Sequence, residues 1–254
     1  MEIFINLIID TLLTGCYFIA VAIIVLFFKY VIKLQGEWYR KILHLFFMGS
    51  IFPFTYLFDY YWTSLISLAA FLIVALIGLT IIERYPFYTE LLAERKPGEI
   101  KRSITIAFIV FMIIIGVTWG IFGAEKKYII IASVLAWGIG DALAALVGKR
   151  NNTTRISNKL VRSTKTIEGS AAMFIASTIT IFLVIYFIGS NTLWYSVIVS
   201  LVAGVVATLT EMWTREGWDT LSVPLIVMLV LIIAQFIIGC LFRPFSRSMK
   251  RPFI

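Results

Sequence analysis

Apolar runs alternate with short polar connections along the whole chain, and each run reaches about 20 residues, enough to cross the hydrocarbon core of a bilayer as a helix. Read with a helical window, the pattern predicts about eight spans, over residues 5–28, 42–58, 62–82, 103–121, 128–147, 169–189, 192–212 and 221–241. The longest connections are 83–102 and 148–168, and no Gly/Ser-rich linker, low-complexity tract or fixed-period repeat divides the chain. The expectation is an all-α, polytopic transmembrane helix bundle, with residues 1–254 forming a single integral-membrane domain. The first run exceeds a signal-peptide core, lacks a basic start and is not followed by a small-residue cleavage pattern, so it is read as a mature span.

Composition excludes a soluble enzyme: 61% of the residues are apolar, 14% are charged and the mean hydropathy is +0.97. The two cysteines, Cys16 and Cys240, lie in apolar runs at opposite ends of the chain and read as small buried hydrophobes. Most of the 22 basic residues fall in the odd-numbered connections, which the positive-inside rule places in the cytosol, with the N-terminus outside. Arg243, Arg247, Lys250 and Arg251 disagree, because an eighth crossing puts them outside; the pattern allows a miscounted span, an incomplete last crossing or a weak late signal. The net charge of +8 is spread over juxtamembrane connections without a basic-aromatic stripe, which points to lipid headgroups and a phosphate-bearing ligand and away from nucleic acid. Trp62, Trp119 and Trp194 at the outer ends and Trp38, Trp213 and Trp218 at the inner ends fit interfacial belts, and Trp137 reads as packing.

Ionisable groups inside hydrocarbon cost about 2.5–3.5 kcal/mol on insertion scales unless partnered, so the polar residues within the spans carry the functional signal. Arg40 and Lys41 lead into the second span, where His44, the single histidine, shares a face with Arg40; it is either a histidine satisfied by a neighbouring carbonyl or a direct participant. In the fifth span Gly140, Ala144 and Gly148 form a smooth stripe for close helix contact, and Asp141, Ala145 and Lys149 form the adjacent row. Asp141 suits either an interhelical pair or a divalent metal. The following connection, from Lys149 to Glu168, is rich in cations and hydroxyls and delivers Lys165, Thr166, Glu168, Gly169 and Ser170 to the start of the sixth span. Such groups meet the needs of a polyphosphate, although no Walker A glycine spacing is present; a plain positive loop on anionic lipid is the simpler reading. Glu211 leaves the seventh span, Asp219 begins the eighth, and Pro224 occupies its first turn. All four places fall at the predicted cytosolic ends, whereas Asp59, Glu125 and Asn191 form no comparable set opposite.

At these residues the chain resembles the membrane family of CTP-dependent lipid-alcohol kinases, which includes dolichol kinase, phytol kinase and CTP-dependent diacylglycerol kinase. The matching elements are Arg40-Lys41-x-x-His44, Gly140-Asp141-Ala142-x-Ala144-Ala145-x-x-Gly148-Lys149, Lys165-Thr166-x-Glu168-Gly169-Ser170, and Glu211 followed by Asp219-Thr220-Leu221-Ser222-Val223-Pro224. The family commonly has Ser at the place of Thr166 and Asn at that of Thr220. The resemblance implies a catalytic domain over 1–254 that transfers the γ-phosphoryl group of the co-substrate CTP to a lipid alcohol on the cytosolic side. It implies Asp141, Glu211 and His44 as catalytic residues, and Asp141, Glu211 and Asp219 as ligands of Mg²⁺ or another divalent cation. Arg40, Lys41, Lys149, Lys165, Thr166, Glu168, Gly169 and Ser170 are the expected nucleotide and phosphate contacts. The substrate lipid is a polyprenol, a phytol-like isoprenoid or a diacylglycerol in a groove lined by Phe46, Phe47 and Phe108; membrane lipids are the surroundings, and a homodimer is compatible. Two other readings stand beside it, a phosphatidate cytidylyltransferase and a non-enzymatic transporter.

Overall fold

The computed structural model describes residues 1–85, 87–151, 165–214 and 217–248, with the side chains of residue 151 and of 238–248 outside the described set. The expectations for 152–164, Arg215, Cys240, Arg243, Arg247 and the tail beyond 248 therefore lie outside the described residues or side chains.

Among the described residues the fold is all-helical, and seven helices are long and apolar enough to cross a membrane. Helix α1 (Glu2–Tyr30) leads to α2 (Gly36–Gly49) and the short α3 (Ile51–Tyr56), followed by α4 (Tyr61–Ile82), the four-residue α5 (Tyr88–Leu91) and α6 (Glu99–Ile115). Helix α6 widens into a π turn at Gly116–Ile121; then come α7 (Lys127–Asn151), α8 (Ile167–Leu183) with its own π turn at Val184–Ile188, α9 (Leu193–Trp213) and α10 (Asp219–Ser248).

The run at 42–58, expected as one span, is two helices that meet at Ser50. Pro53 is the reason: it has no N–H to offer the carbonyl of Gly49, so the ladder breaks there, and the Ser50 hydroxyl turns back to donate to Phe47 O at 2.6 Å. The pair still traverses the bundle. Lys41 of α2 meets Asp141 toward the end of α7, while Phe58 O, just past α3, accepts from Lys127 at the start of α7. The last helix runs the length of the bundle, because Asp219 begins it beside the Asp141 cluster and Gln235 reaches Tyr195 and Lys126 at the opposite end.

Helix α7 is the axis of the bundle. Its most apolar window is 61% buried, against 11% for α1 and for α4, whose faces are left to lipid. The small-residue stripe explains the enclosure. A Cβ on Gly148 would stand 2.8 Å from Thr166 Oγ1, one on Gly169 would stand 3.0 Å from Ala144 O, and one on Gly140 would collide with Met173. The backbones of antiparallel α7 and α8 therefore approach at helix-crossing distances that side chains would forbid. Gly169→Val should destabilise the protein by about 1–3 kcal/mol through overpacking, read as an earlier thermal unfolding transition in detergent, while Gly78→Ala, with open space around it, should leave the transition in place.

Several positions depart from their sequence reading. Phe108 is 2% exposed and packs with Phe47, Phe54 and Phe111, so it belongs to the core instead of a lipid groove, while Phe46 and Phe47 are half-buried. Trp119 is buried under the Lys127 ammonium, 3.6 Å from its ring centroid, and is no belt residue. Cys16 is exposed, on the lipid-facing side of α1. At the end away from Asp141, Lys126, Gln235 and Tyr195 form a hydrogen-bonded chain, with Asn191 turned back onto the π turn of α8, a polar set that charge counting did not reveal.

Candidate functional site

The site lies at the end of the bundle where α2, α8 and α10 begin and α7 and α9 finish. Asp141, on α7, accepts from Lys41 of α2 at 2.5 Å, and His44 Nε2, one turn deeper on α2, is 3.8 Å from the same oxygen. Lys41 is 5% exposed, so this pair is held out of water, where opposite charges attract strongly and an unpaired one is costly. The second pair joins Lys165, immediately before α8, to Glu211 in the last turn of α9; Glu211 is 3% exposed. Asp219, opening α10, lies within electrostatic reach of Asp141, Lys165 and Lys41, and its Oδ1 accepts from the N–H of Thr220 at 3.0 Å. Five helices thus deliver two lysine–carboxylate pairs and a further carboxylate to one place. The row Asp141/Ala145/Lys149 faces α2, since Lys149 meets Glu37 there while Asp141 meets Lys41.

The start of α8 is organised by Thr166, whose Oγ1 caps the helix by accepting from Gly169 N at 3.1 Å, while the Ser170 N–H bonds to Thr166 O. Gly169 therefore contributes close approach and a satisfied cap, and its N–H is not free for a phosphate. Ser170 Oγ and His44 Nε2 are buried and lack a hydrogen-bond partner among the described residues. Unpaired buried polar atoms are costly, and His44 Nε2 is one that lies beside the Lys41–Asp141 pair. Trp137, read as packing, is buried in the core as expected, and its ring also meets His44 edge-on at 5.0 Å, with its Nε1 buried without a partner among the described residues. Its position four residues before Asp141 was the available signal.

Arg40 and Lys41, adjacent in sequence, part company. Lys41 turns inward to Asp141, and Arg40 joins a cluster at the mouth of α2 around Glu37, a residue that sequence reasoning missed. The Glu37 carboxylate accepts from Arg40, Arg95 and Lys149 together. Burial pushes its carboxyl upward, but the hydrogen bonds from Lys149 and Arg40 and the charges of Arg40 and Arg95 outweigh this and hold it at about 2. Because the folded value lies below the ordinary 4.5, the stabilisation from Glu37 is fully present above pH 4.5 and is lost as pH falls toward 2. The difference in melting temperature between the native protein and Glu37→Gln should accordingly stay constant from pH 8 to 5 and shrink on further acidification.

No three His, Cys, Asp or Glu side chains gather at metal-binding spacing among the described residues. Asp141 and Asp219 are the two carboxylates that lie within electrostatic reach of each other, and Glu211 is turned to Lys165. Mg²⁺ is usually held by one or two carboxylates plus substrate phosphates, and Asp141 and Asp219 are like charges close enough to repel, which a divalent cation would relieve. A cavity of about 380 Å³ lies in the 83–97 segment, bordered by Glu83, Arg84, Tyr85, Tyr88, Glu94, Arg95 and Lys96, and meets the Glu37 cluster through Arg95. Burial first, then the charges of Glu94 and Glu83, push the Tyr88 hydroxyl up to about 12, so it is protonated and donates to Glu94 at 3.4 Å. No protein-family model matches the chain, and no curated protein or solved structure matches it either.

Proposed function

We propose that the protein phosphorylates a lipid alcohol with CTP at the cytosolic membrane face, giving a lipid phosphate and CDP. The observation that carries the reading is the convergence of Lys41–Asp141, Lys165–Glu211 and Asp219 at one end of the bundle, together with His44 Nε2 and Ser170 Oγ, which are buried with no hydrogen-bond partner among the described residues. Phosphoryl transfer asks a protein mainly for alignment and charge neutralisation, which paired lysines and carboxylates at a membrane edge supply.

In this scheme Asp141 orients the lipid hydroxyl and takes its proton as the oxygen bonds to the γ-phosphorus and the bond to the CDP oxygen breaks. Lys41 keeps the Asp141 carboxylate ionised and in place, and His44, behind it, orients the alcohol. Lys165 and Lys149 bind phosphate oxygens, and Glu211 holds Lys165. Asp141 and Asp219, with Glu211 as the further donor that the resemblance implies, would hold a divalent cation such as Mg²⁺, which would supply further neutralisation of phosphate charge. The resemblance stated above supports CTP as the nucleotide, and a polyprenol, a phytol-like isoprenoid or a diacylglycerol as the acceptor.

The test is incubation of the purified protein in nanodiscs with CTP or ATP and a panel of polyprenol, phytol, diacylglycerol and phosphatidate. The expected result is a lipid phosphate with stoichiometric CDP. Pyrophosphate with phosphatidate would assign a cytidylyltransferase instead, and no turnover of either nucleotide would leave the transporter reading. The buried pairs lie toward one end of the bundle, which disfavours a substrate site at the membrane midplane.

A further inference from the structure

Glu37, Arg40, Arg95 and Lys149 come from three separate stretches of chain and meet at one carboxylate. Arg40 also has Glu99 at 3.8 Å, so three cations face one close and one more distant carboxylate, and positive charge is left over. The donors are not exhausted. A guanidinium carries five N–H groups and an ammonium three, and the Arg95 and Lys149 side chains remain 46% and 57% exposed. Arg40 Nε is buried with no partner among the described residues. Arg95 also borders the cavity of about 380 Å³ together with the cations Arg84 and Lys96 and the carboxylates Glu83 and Glu94, so space for a ligand adjoins the cluster. The loop that presents Arg95 is held in a strained form, with Ala93 at φ 53°, a conformation that favours glycine and persists only where the surroundings impose it.

We propose that this cluster is a polyphosphate-binding seat in which Arg95 is a phosphate ligand beside Lys149 and Arg40, and Glu37 is the positioning residue that gathers the three cations. The proposal rests on the kinase reading for the role of Lys149 and extends it to a connection, 83–98, to which that reading assigns nothing. Without Glu37 three like charges repel and disperse; with it they stand ready at one mouth, and a phosphate chain takes up the donors that Glu37 leaves unused.

The experiment is calorimetric titration of the full-length protein in nanodiscs with inorganic tripolyphosphate. Arg95→Gln should weaken binding about tenfold, the size of one charge-assisted hydrogen bond, as should Lys149→Gln. Lys33→Gln, an equal change in charge at an exposed residue outside the cluster, should leave affinity unaltered. In a Glu37→Gln background the Arg95→Gln penalty should fall below about threefold, since Arg95 is no longer held, a non-additivity that general loss of structure does not produce. Equal effects of Arg95→Gln and Lys33→Gln, or an undiminished Arg95 penalty in that background, would overturn the proposal. Cluster-dependent tripolyphosphate binding by a protein that phosphorylates no lipid would support the seat while overturning the kinase reading, so the two fail separately.

Discussion

Asp141→Asn is expected to reduce lipid phosphorylation by about 100-fold or more, because it removes the group that orients and deprotonates the lipid hydroxyl. The same change should destabilise the protein by about 3–5 kcal/mol, because Lys41 is left buried with an uncompensated charge. Loss of activity could then be mistaken for loss of folding, and the double variant Lys41→Met/Asp141→Leu separates the two. Replacing both members of a buried ion pair by apolar residues is commonly neutral or stabilising, so the double variant should melt near the native temperature. It should nonetheless transfer no phosphate. Normal phosphorylation by folded Asp141→Asn would remove the acid at the centre of the mechanism.

Exchanging the second pair, as Lys165→Glu/Glu211→Lys, should keep the ion pair and most of the stability while raising the KM for nucleotide by about tenfold or more. The asymmetry of the pair predicts this. The Glu211 side chain is 4% exposed and that of Lys165 is 22% exposed, so the cation is the member that reaches toward the opening. After the exchange a carboxylate stands where phosphate oxygens would approach, and the cation is recessed. Glu211→Gln alone should be the less stable variant, because Lys165 loses its carboxylate acceptor. A swapped protein with unchanged nucleotide KM would mean that Lys165 serves only the bundle.

Much of the site was legible before any coordinates. An acid in an apolar run is expensive, so Asp141 and Glu211 stood out, and the stripe of Gly140, Ala144 and Gly148 marked the face that α8 covers. What was not legible is who partners whom. Arg40 and Lys41 are neighbours in sequence but point to different carboxylates, Glu37 and Asp141, because successive residues on a helix diverge by about 100°. Glu37 and Arg95 escaped notice because each lies in a polar connection where a charge is ordinary, and only their meeting across the fold makes them unusual. Phe108 shows the reverse failure, since an aromatic in an apolar span has the same pattern whether it lines a groove, faces lipid or fills the core.

Hydropathy by itself determined the all-helical class and the approximate positions of the crossings, because a backbone in hydrocarbon must satisfy its own hydrogen bonds and a helix of about 20 apolar residues does so without reference to the rest of the chain. The break at Ser50, the central place of α7 and the gathering of α2, α8, α9 and α10 around Asp141 were decided by the tertiary structure. The physical reason is the same in each case: ion pairs and close helix contacts act over a few ångströms between residues far apart in sequence, so their partners are fixed only when the helices pack.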